Sequence, residues 1–296
     1  MSSHSRLSRA LKNAKKVSFN NESKLILFSD CHRGDNSFAD DFARNKNIYY
    51  HALNRYYDEG FTYCELGDGD ELWENSSFNE IFLAHKNVYT LFSKFHKENR
   101  LHLIWGNHDM IYRNPNYVKK NLHSFFDRQT NEITPLLPNI EVSEAILLEH
   151  METKQQLFLA HGHQADFMNY VVWKFHRVMV RVLWRPLQVI GIYDPTSPAK
   201  NYNETIKVER RIKSWIKEVG KLITIVGHTH RPRFPKKGEV PFFNSGSCVH
   251  PRAITGLEIV NGEISLIKWQ TSTTNDGILR IVKVVLEGPS KIADYQ

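Results

Sequence analysis

The sequence predicts an α/β protein whose chemistry lies at one edge of a sheet. Apolar runs of strand length, such as Lys24–Ser29 and Phe61–Leu66, alternate with helical patterns, the first over residues 38–60. Each of these strands is followed at once by acidic, amide or imidazole side chains. Ligands of open α/β sheets bind beyond the carboxyl ends of the strands, so this edge is where a functional site is expected.

Length, charge and cysteine content narrow the class of protein. The 296 residues are 41% hydrophobic, which suits one large domain with an insertion or two modest domains. The chain has three cysteines with no paired spacing, which indicates neither a disulfide framework nor a zinc knuckle. No secretory signal and no apolar run of about 18 residues is present, so we expect a cytoplasmic protein. The net charge of +7 favours anionic partners: nucleic acid, phosphorylated metabolites or an acidic lipid surface.

Residues 1–22 are basic and polar and precede the first predicted strand. Their spacing permits a short amphipathic helix that touches an anionic surface. A frayed terminus is the commoner outcome for such an extension, and it is the one we expect. The main domain is therefore expected to span residues 23–296.

The first strand ends in a pair of side chains with the spacing of metal ligands. Lys24–Ser29 runs into Asp30, Cys31 and His32. Asp30 and His32 are two residues apart, so an extended chain places them on one side. A carboxylate and an imidazole on one side of a strand end are typical metal ligands.

The next two strands end in acids and in a second imidazole. Phe61–Leu66 is closed by the acidic run Gly67–Trp73, and a helix is predicted over Glu80–Glu98. The strand that opens Leu101–Asp109 stops at Gly106, where glycine allows close backbone approaches. The polar residues that follow it are Asn107, His108 and Asp109.

Two later strands end in histidines, and the last third of the chain is rich in strands. Leu157–Ala160 leads into His161-Gly162-His163, and Leu222–Val226 leads into Gly227–His230. Asn261-Gly262 joins two apolar runs and is a strong signal for a hairpin. The strands predicted in this part are Phe242–Ser245, Thr255–Val260, Glu263–Trp269 and Ile278–Leu286.

Together, the five strand ends form an ordered series: Asp-x-His, Gly-Asp, Gly-Asn-His-Asp, His-Gly-His and Gly-His-Thr-His. Over Leu25–Trp269 this series resembles the calcineurin-like metallophosphoesterases. The resemblance implies a four-layer αββα sandwich, with two sheets face to face, helices outside, and the motifs on loops at one edge.

The resemblance also implies a site for two divalent metal ions. Two such ions clamp a phosphoryl group and lower the pKa of a bound water. His161 takes the ligand role over His163 because the family ligand precedes the glycine of that motif. The implied ligands are Asp68 as the bridge, then Asp30, His32 and His230 for one ion, and Asn107, His161 and His228 for the other. Mn is the expected metal, and Fe and Zn also suit this oxygen and imidazole set.

The catalytic roles and the subgroup follow from the same resemblance. His108 matches the histidine that stabilises or protonates the leaving oxygen, and Asp109 would orient it. Glu71, Trp73 and the run His230-Arg231-Pro232 are similar to UDP-2,3-diacylglucosamine hydrolases, although Asp70 and His108 depart from their usual pattern. We therefore expect hydrolysis of a phosphodiester or pyrophosphate bond in a lipid-linked or UDP-sugar-type substrate. Arg33 and Trp73 are expected to contact that substrate.

An insertion over residues 164–217 is expected to form a helical cap. Within it, a basic row follows helical spacing among large apolar residues. This pattern is typical of a membrane-surface helix or an acyl-chain cap, and also of a helix packed on the body with a solvated basic face. The cap residues expected to contact substrate, or the inner face of the membrane, are Lys174, Arg177, Arg181, Trp173 and Trp184.

Two other functions compete with this hypothesis. A soluble nucleotide phosphodiesterase or nuclease agrees with the net positive charge, but the basic residues lie beside large apolar ones instead of stacking aromatics in an open groove. The leading hypothesis therefore expects no nucleic acid partner. The third hypothesis is a catalytically silent metal-binding scaffold. The complete set of implied metal ligands and the presence of His108 argue against it.

Overall fold

The computed structural model describes residues 2–127, 130–166, 202–274 and 276–295. Its helices are α1 (Ser3–Lys12), α2 (Lys46–Asp58), α3 (Phe78–Ala84), α4 (Lys86–Lys97), α5 (Pro115–Leu122) and α6 (Tyr202–Glu218). The strands of the first half are β1 (Lys15–Phe19), β2 (Leu25–Phe28), β3 (Thr62–Leu66), β4 (Leu101–Ile104), β5 (Ser124–Asp127), β6 (Glu132–Pro135) and β7 (Val142–Ser143). The later strands are β8 (Ala145–His150), β9 (Gln156–Ala160), β10 (Ile223–Val226), β11 (Phe242–Asn244), β12 (Ala253–Val260), β13 (Glu263–Thr273) and β14 (Leu279–Lys291).

Two sheets carry the motifs. The seven-stranded sheet has the order β14-β13-β12-β2-β3-β4-β7, and the five-stranded sheet has the order β1-β8-β9-β10-β11. β2, β3 and β4 are parallel neighbours, as are β9 and β10. The carboxyl ends of these five strands carry the five predicted motifs, so each sheet brings its own motifs to one edge. A small antiparallel pair, β5-β6, stands apart from both sheets.

Three apolar clusters divide the molecule into four layers. The central cluster joins Leu27 and Leu66 of the seven-stranded sheet to Leu159 and Ile225 of the five-stranded sheet. A second cluster packs α2 to α5 on the outer face of the seven-stranded sheet, and a third packs α1 and α6 on the other sheet. Because burying apolar area is the main favourable term in folding, these three interfaces hold the layers together. The predicted α/β fold with an αββα layer order is confirmed.

The N-terminal residues are part of the sandwich, and the expectation of a frayed extension is wrong. The hydroxyl of Ser2 caps α1 by accepting a hydrogen bond from the backbone N–H of Ser5. Arg6 is buried and donates from Nε to the carbonyl oxygen of Gln164, at 2.7 Å. β1 then pairs in parallel with β8 as an edge strand. An amphipathic helix that covers a sheet loses its freedom to fray because its apolar side is buried.

Other differences from the sequence prediction are local. The helix expected over Glu80–Glu98 is two helices that meet at His85. Strand β1 and strands β5 to β8 were not predicted. The Asn261-Gly262 hairpin is confirmed, with both residues at positive φ, 54° and 71°. Most of the predicted cap, residues 167–201, lies outside the described residues, and α6 forms its end. In the described ranges, no helix is both long and apolar enough to cross a bilayer.

Candidate metal centre

Hydrogen bonds from backbone N–H groups join the loops that follow β2, β3 and β10. The N–H of Asp30 donates to the carbonyl of Gly67 at 3.0 Å, and the N–H of His32 donates to the carbonyl of Asp68 at 2.8 Å. Across the two sheets, the N–H of His228 donates to Oδ2 of Asp30 at 2.9 Å. The strand ends of both sheets therefore meet at a single site.

Glycines let these loops approach one another closely. A Cβ on Gly106 would lie 2.2 Å from Oδ1 of Asp68, and one on Gly227 would lie 2.5 Å from Oδ2 of Asp30. Real Cβ atoms do not come so near, so any side chain at either position would displace a carboxylate. The glycine of the third motif is thus required by the carboxylate of the second.

Five of the predicted ligands have a left-handed backbone that non-glycine residues rarely adopt. Each such residue costs on the order of 1 kcal/mol and persists only where the surroundings impose it. The residues and their φ angles are Asp30 at 53°, His32 at 49°, Asp68 at 51°, His228 at 68° and His230 at 54°. The backbone is therefore strained at five of the residues that the sequence predicts as metal ligands.

The first ligand group contains Asp30, His32 and His230, whose ligand atoms all lie within 4.8 Å of one another. Nε2 of His230 is 3.1 Å from Oδ1 of Asp30, and Nε2 of His32 is 4.0 Å from the same oxygen. The two histidine Nε2 atoms are 3.3 Å apart. Three donor atoms converge here from the loops after β2 and β10.

The second ligand group contains Asp68, His161 and His228, again within 4.8 Å of one another. Nε2 of His161 is 3.1 Å from Oδ2 of Asp68 and 3.2 Å from Oδ1 of Asn107. Oδ2 of Asp68 also lies 3.8 Å from Nε2 of His32 in the first group. Asp68 therefore stands between the two groups, which is the position that a bridging carboxylate requires.

Opposite charges set the protonation of this site. Burial opposes ionisation of Asp68, but the neighbouring His161 and His108 bring its pKa well below the usual value. Burial likewise opposes ionisation of Asp30, and His230 brings its pKa down to about 2. Burial would lower the pKa of His161, whereas Asp68 and Asp30 raise it to about 9. The carboxylates thus keep their negative charge at neutral pH and attract positive charge.

The donor set fits divalent metal ions. Oδ1 of Asp30 is buried and accepts no hydrogen bond from any described residue, although His230 is near. A buried carboxylate oxygen without a hydrogen bond is costly unless a cation or another partner satisfies it. Carboxylate, amide and imidazole ligands without thiolate suit Mn, Fe or Zn.

Glu71 orients two histidines at this site. Its carboxylate accepts from Nδ1 of His108 at 2.8 Å and from Nδ1 of His32 at 2.7 Å. Burial opposes its ionisation, but His108 and then His32 bring the pKa of Glu71 down to about 2. The indole of Trp73 stacks on His108 with ring centroids 4.2 Å apart. The imidazole of His108 is therefore held by a carboxylate and by an aromatic face.

The orienting role that the sequence assigns to Asp109 belongs to Glu71. The carboxylate of Asp109 is buried and accepts from the backbone N–H of Gly106 at 2.5 Å and of Gly69 at 2.8 Å. These bonds join the second and third motif loops. Burial, with the nearby charge of Asp68, raises the pKa of Asp109 to about 8. Asp109 is thus a residue that holds the loops together.

Two residues expected to bind substrate are buried in other contacts. Arg33 is 1% exposed, and its guanidinium pairs with Glu65 at 2.6 and 2.8 Å and with Asp70 at 2.8 Å. A fully paired buried guanidinium cannot reach a ligand, so its assignment to substrate binding is wrong. Trp73 is also buried, and one face of its ring stacks on His108, so Trp73 helps to hold that imidazole in place. The remaining residues of that set lie outside the described residues: Lys174, Arg177, Arg181, Trp173 and Trp184.

Sequence reasoning missed one acid near the second group. Asp166 follows β9 and the short 3₁₀ helix His163–Ala165, and its Oδ2 lies 3.3 Å from Nε2 of His228. His163 is fully buried between Trp105 and His161, with ring centroids 5.4 Å from each. The available signal was an acid five residues after His161, but spacing alone does not say which histidine it contacts.

Comparisons with known proteins add a distant likeness. Neither a family model nor a curated protein matches the chain. Among solved structures, it is similar to Vps29 from Cryptosporidium parvum (12% identity, TM-score 0.37, 90% of this chain and 98% of that one). It is also similar to Vps29 from Chaetomium thermophilum (8%, 0.41, 90% and 97%) and to wild-type Vps29 complexed with Zn²⁺ from Entamoeba histolytica (14%, 0.37, 89% and 99%). Such identities and TM-scores carry no argument about function, which rests on the geometry of the site.

Proposed function

We propose that this chain is a metal-dependent phosphoesterase that hydrolyses a phosphodiester or pyrophosphate bond. One observation carries the proposal: Asp68 lies between two ligand groups, and His108 is oriented beside them by Glu71. A metal site alone would suit many functions. A metal site with an oriented imidazole at its edge suits transfer of a phosphoryl group to water.

Seven residues of this chain would hold two divalent ions. They are Asp30, His32 and His230 on one side, Asn107, His161 and His228 on the other, and Asp68 between them. When bound, the ions would supply Lewis acidity toward the phosphoryl oxygens and would lower the pKa of a water nucleophile. We propose Mn as the usual metal, with Fe and Zn as alternatives.

His108 is the proposed general acid. Glu71 accepts the hydrogen bond from Nδ1, so Nε2 is the nitrogen that remains to face a substrate. Its backbone N–H donates to Oδ1 of Asp68 at 2.8 Å, which ties its position to the bridging carboxylate. The proton on Nε2 would pass to the leaving oxygen as the bond to phosphorus breaks, and Glu71 would stabilise the imidazolium until that step.

For the substrate, we propose a lipid-linked or UDP-sugar-type molecule. The sequence pattern of Glu71 and Trp73 supports this choice, as does the run His230-Arg231-Pro232. The net charge of +7 suits a pyrophosphate group and an anionic membrane surface. A cytoplasmic location with peripheral contact to the membrane belongs to the same proposal.

The first experiment tests hydrolysis and its dependence on metal. Full-length protein is assayed on bis(p-nitrophenyl) phosphate as purified, after chelation, and after Mn is returned. Activity that is lost with chelation and restored by Mn is expected. His51→Ala, which removes an exposed histidine of α2, serves as the control for histidine loss elsewhere. Two bound ions without hydrolysis of any phosphoester would favour a silent scaffold.

The second experiment separates the substrate classes. Acylated and plain UDP-sugars are compared, together with single-stranded nucleic acid. A preference for the acylated compound is expected. Equal rates on plain nucleotide diphosphates would favour a soluble nucleotide phosphodiesterase, and cleavage of nucleic acid would favour a nuclease.

A third experiment addresses the membrane. We expect binding to anionic vesicles that weakens as salt rises, because each Lys or Arg near such a surface contributes about 1 kcal/mol. Replacing Arg177 and Arg181 with Glu should abolish binding and leave hydrolysis of a small soluble diester unchanged. Flotation with vesicles at low salt measures this, and a wild-type protein that stays unbound would contradict it.

A further inference from the structure

Asp166 contacts His228, a ligand of the second group. Its backbone follows the 3₁₀ helix His163–Ala165, and its own N–H donates to the carbonyl of His163 at 2.9 Å. Its Oδ2 is 3.3 Å from Nε2 of His228. Both residues are buried, so water competes little for this contact.

We propose that Asp166 is a positioning residue that holds the imidazole of His228 by its Nε2 and so presents Nδ1 to the metal. The inference rests on the metal site of the proposed function and adds a residue that the proposed mechanism does not use. An imidazole has two ring nitrogens, and the hydrogen bond on one decides which of them is left to bind a metal.

The main chain of His228 is already fixed, so only its ring needs a further contact. Its N–H donates to Oδ2 of Asp30 at 2.9 Å, and its φ is 68°. These constraints set the position of the Cβ but leave the rotation of the ring open. A carboxylate at 3.3 Å from Nε2 supplies the missing constraint.

Other histidine ligands of the centre also have one ring nitrogen held by a partner, which leaves the other nitrogen for a metal. Nδ1 of His161 lies 2.8 Å from the carbonyl oxygen of Leu66, which leaves Nε2 for the side of Asp68. Nδ1 of His32 is bound by Glu71, which leaves Nε2 for the side of Asp30. Each of these ligands has an outer partner, and Asp166 is the corresponding partner for His228. A carboxylate in this place also makes the imidazole a stronger donor to a metal.

The test uses two substitutions at one position in the full chain. Asp166→Asn keeps an oxygen that can accept from Nε2, whereas Asp166→Leu removes the acceptor at similar size. Titration of metal-free protein with Zn²⁺, followed by calorimetry, measures the affinity of each ion. We expect Asp166→Leu to weaken one ion about 10- to 100-fold and to leave the other unchanged, with a smaller loss for Asp166→Asn.

A second readout reports on the ring itself and does not depend on activity. In protein labelled with ¹⁵N histidine and loaded with Zn²⁺, His228 should carry its proton on Nε2. Metal coordination through Nε2, or unchanged Zn²⁺ affinity in Asp166→Leu, would overturn the proposal. If Asp166→Leu fails to fold, the ring nitrogen shifts of the wild type and of Asp166→Asn still decide.

The outcome is distinguishable from failure of the proposed function. A protein that binds two ions, shows the expected change in Asp166→Leu and hydrolyses nothing keeps this inference and loses the enzymatic one. The control is Asp294→Asn, which changes an acid that pairs with Lys237 at 2.8 Å. Asn244→Ala would not serve as a control because the Asn244 amide donates to the Gly227 carbonyl beside the site. A wild type that binds a single ion, at Asp30, His32 and His230, overturns both proposals.

Discussion

The two ligand groups of the centre differ in how far they are enclosed. In the first group, the side chains of His32 and His230 are 12% and 16% exposed. In the second group, those of His161 and His228 are 0% and 2% exposed. In the first group, His32 contacts Glu71, which also holds His108. In the second group, His161 contacts the carbonyl oxygen of Leu66 at the end of β3, and His228 contacts Asp166.

This difference separates two tasks within one site. Charges in a water-excluded place interact more strongly, so the enclosed group should hold its ion more tightly and release it more slowly. The partly exposed group shares a carboxylate with the proposed general acid, so it should meet the substrate. We therefore expect the ion of the first group to be the exchangeable one.

Removing Asp68, the carboxylate between the two ligand groups, should remove the difference between the two ions because both should be lost. Asp68→Ala takes the bridging position from both groups, so we expect neither ion to be retained and turnover to be lost. Metal content after desalting and the rate on bis(p-nitrophenyl) phosphate measure the two effects. Asp294→Asn should retain both ions, and two ions bound to Asp68→Ala would contradict the bridging assignment.

His108→Ala should separate rate from metal content. Because His108 lies at the edge of the centre and its imidazole is held by Glu71, both ions should remain while the rate falls about 10²- to 10⁴-fold. The loss should be smaller for p-nitrophenol esters, whose leaving group needs no proton. An equal loss for good and poor leaving groups would mean that His108 only positions the phosphate.

Glu71→Gln should affect one group and spare the other. Glu71 accepts from Nδ1 of His32, and in the described structure it lies at hydrogen-bond distance from no residue of the second ligand group. The ion of the first group should therefore bind about 10- to 100-fold more weakly, and the ion of the second group should be unaffected. The reaction rate should fall as well because His108 loses its charged partner. Calorimetry with Zn²⁺ measures both affinities, and equal weakening of the two ions would break the distinction between the groups.

The smallest expected effect is the order in which a chelator removes the ions. With limiting chelator, the ion of the partly exposed group should leave first. His230→Ala protein, which should retain only the enclosed ion, supplies the reference rate for slow release, and His161→Ala supplies the reference for fast release. Faster release from His230→Ala than from His161→Ala would reverse the comparison.

Local sequence determined the elements and the ligand types. An apolar run followed by glycine or an acid marks a buried strand that reaches the surface, so the strand ends at Asp30, Asp68 and Asn107 were predictable. The Asn261-Gly262 hairpin was predictable for the same reason, because two adjacent residues at positive φ suit Asn and Gly. Such features depend on neighbours along the chain.

Only the tertiary structure decided which side chains meet. Arg33 follows a ligand in sequence, but it turns into the core because Glu65 and Asp70 supply the opposite charge there. Glu71 took the role expected of Asp109, and Asp166 reached His228 across 62 positions of the chain. These contacts depend on where two sheets place their loops, and no local pattern encodes that distance. The sequence therefore determined the chemistry at the strand ends, and the packing of the sheets determined the partner of each group.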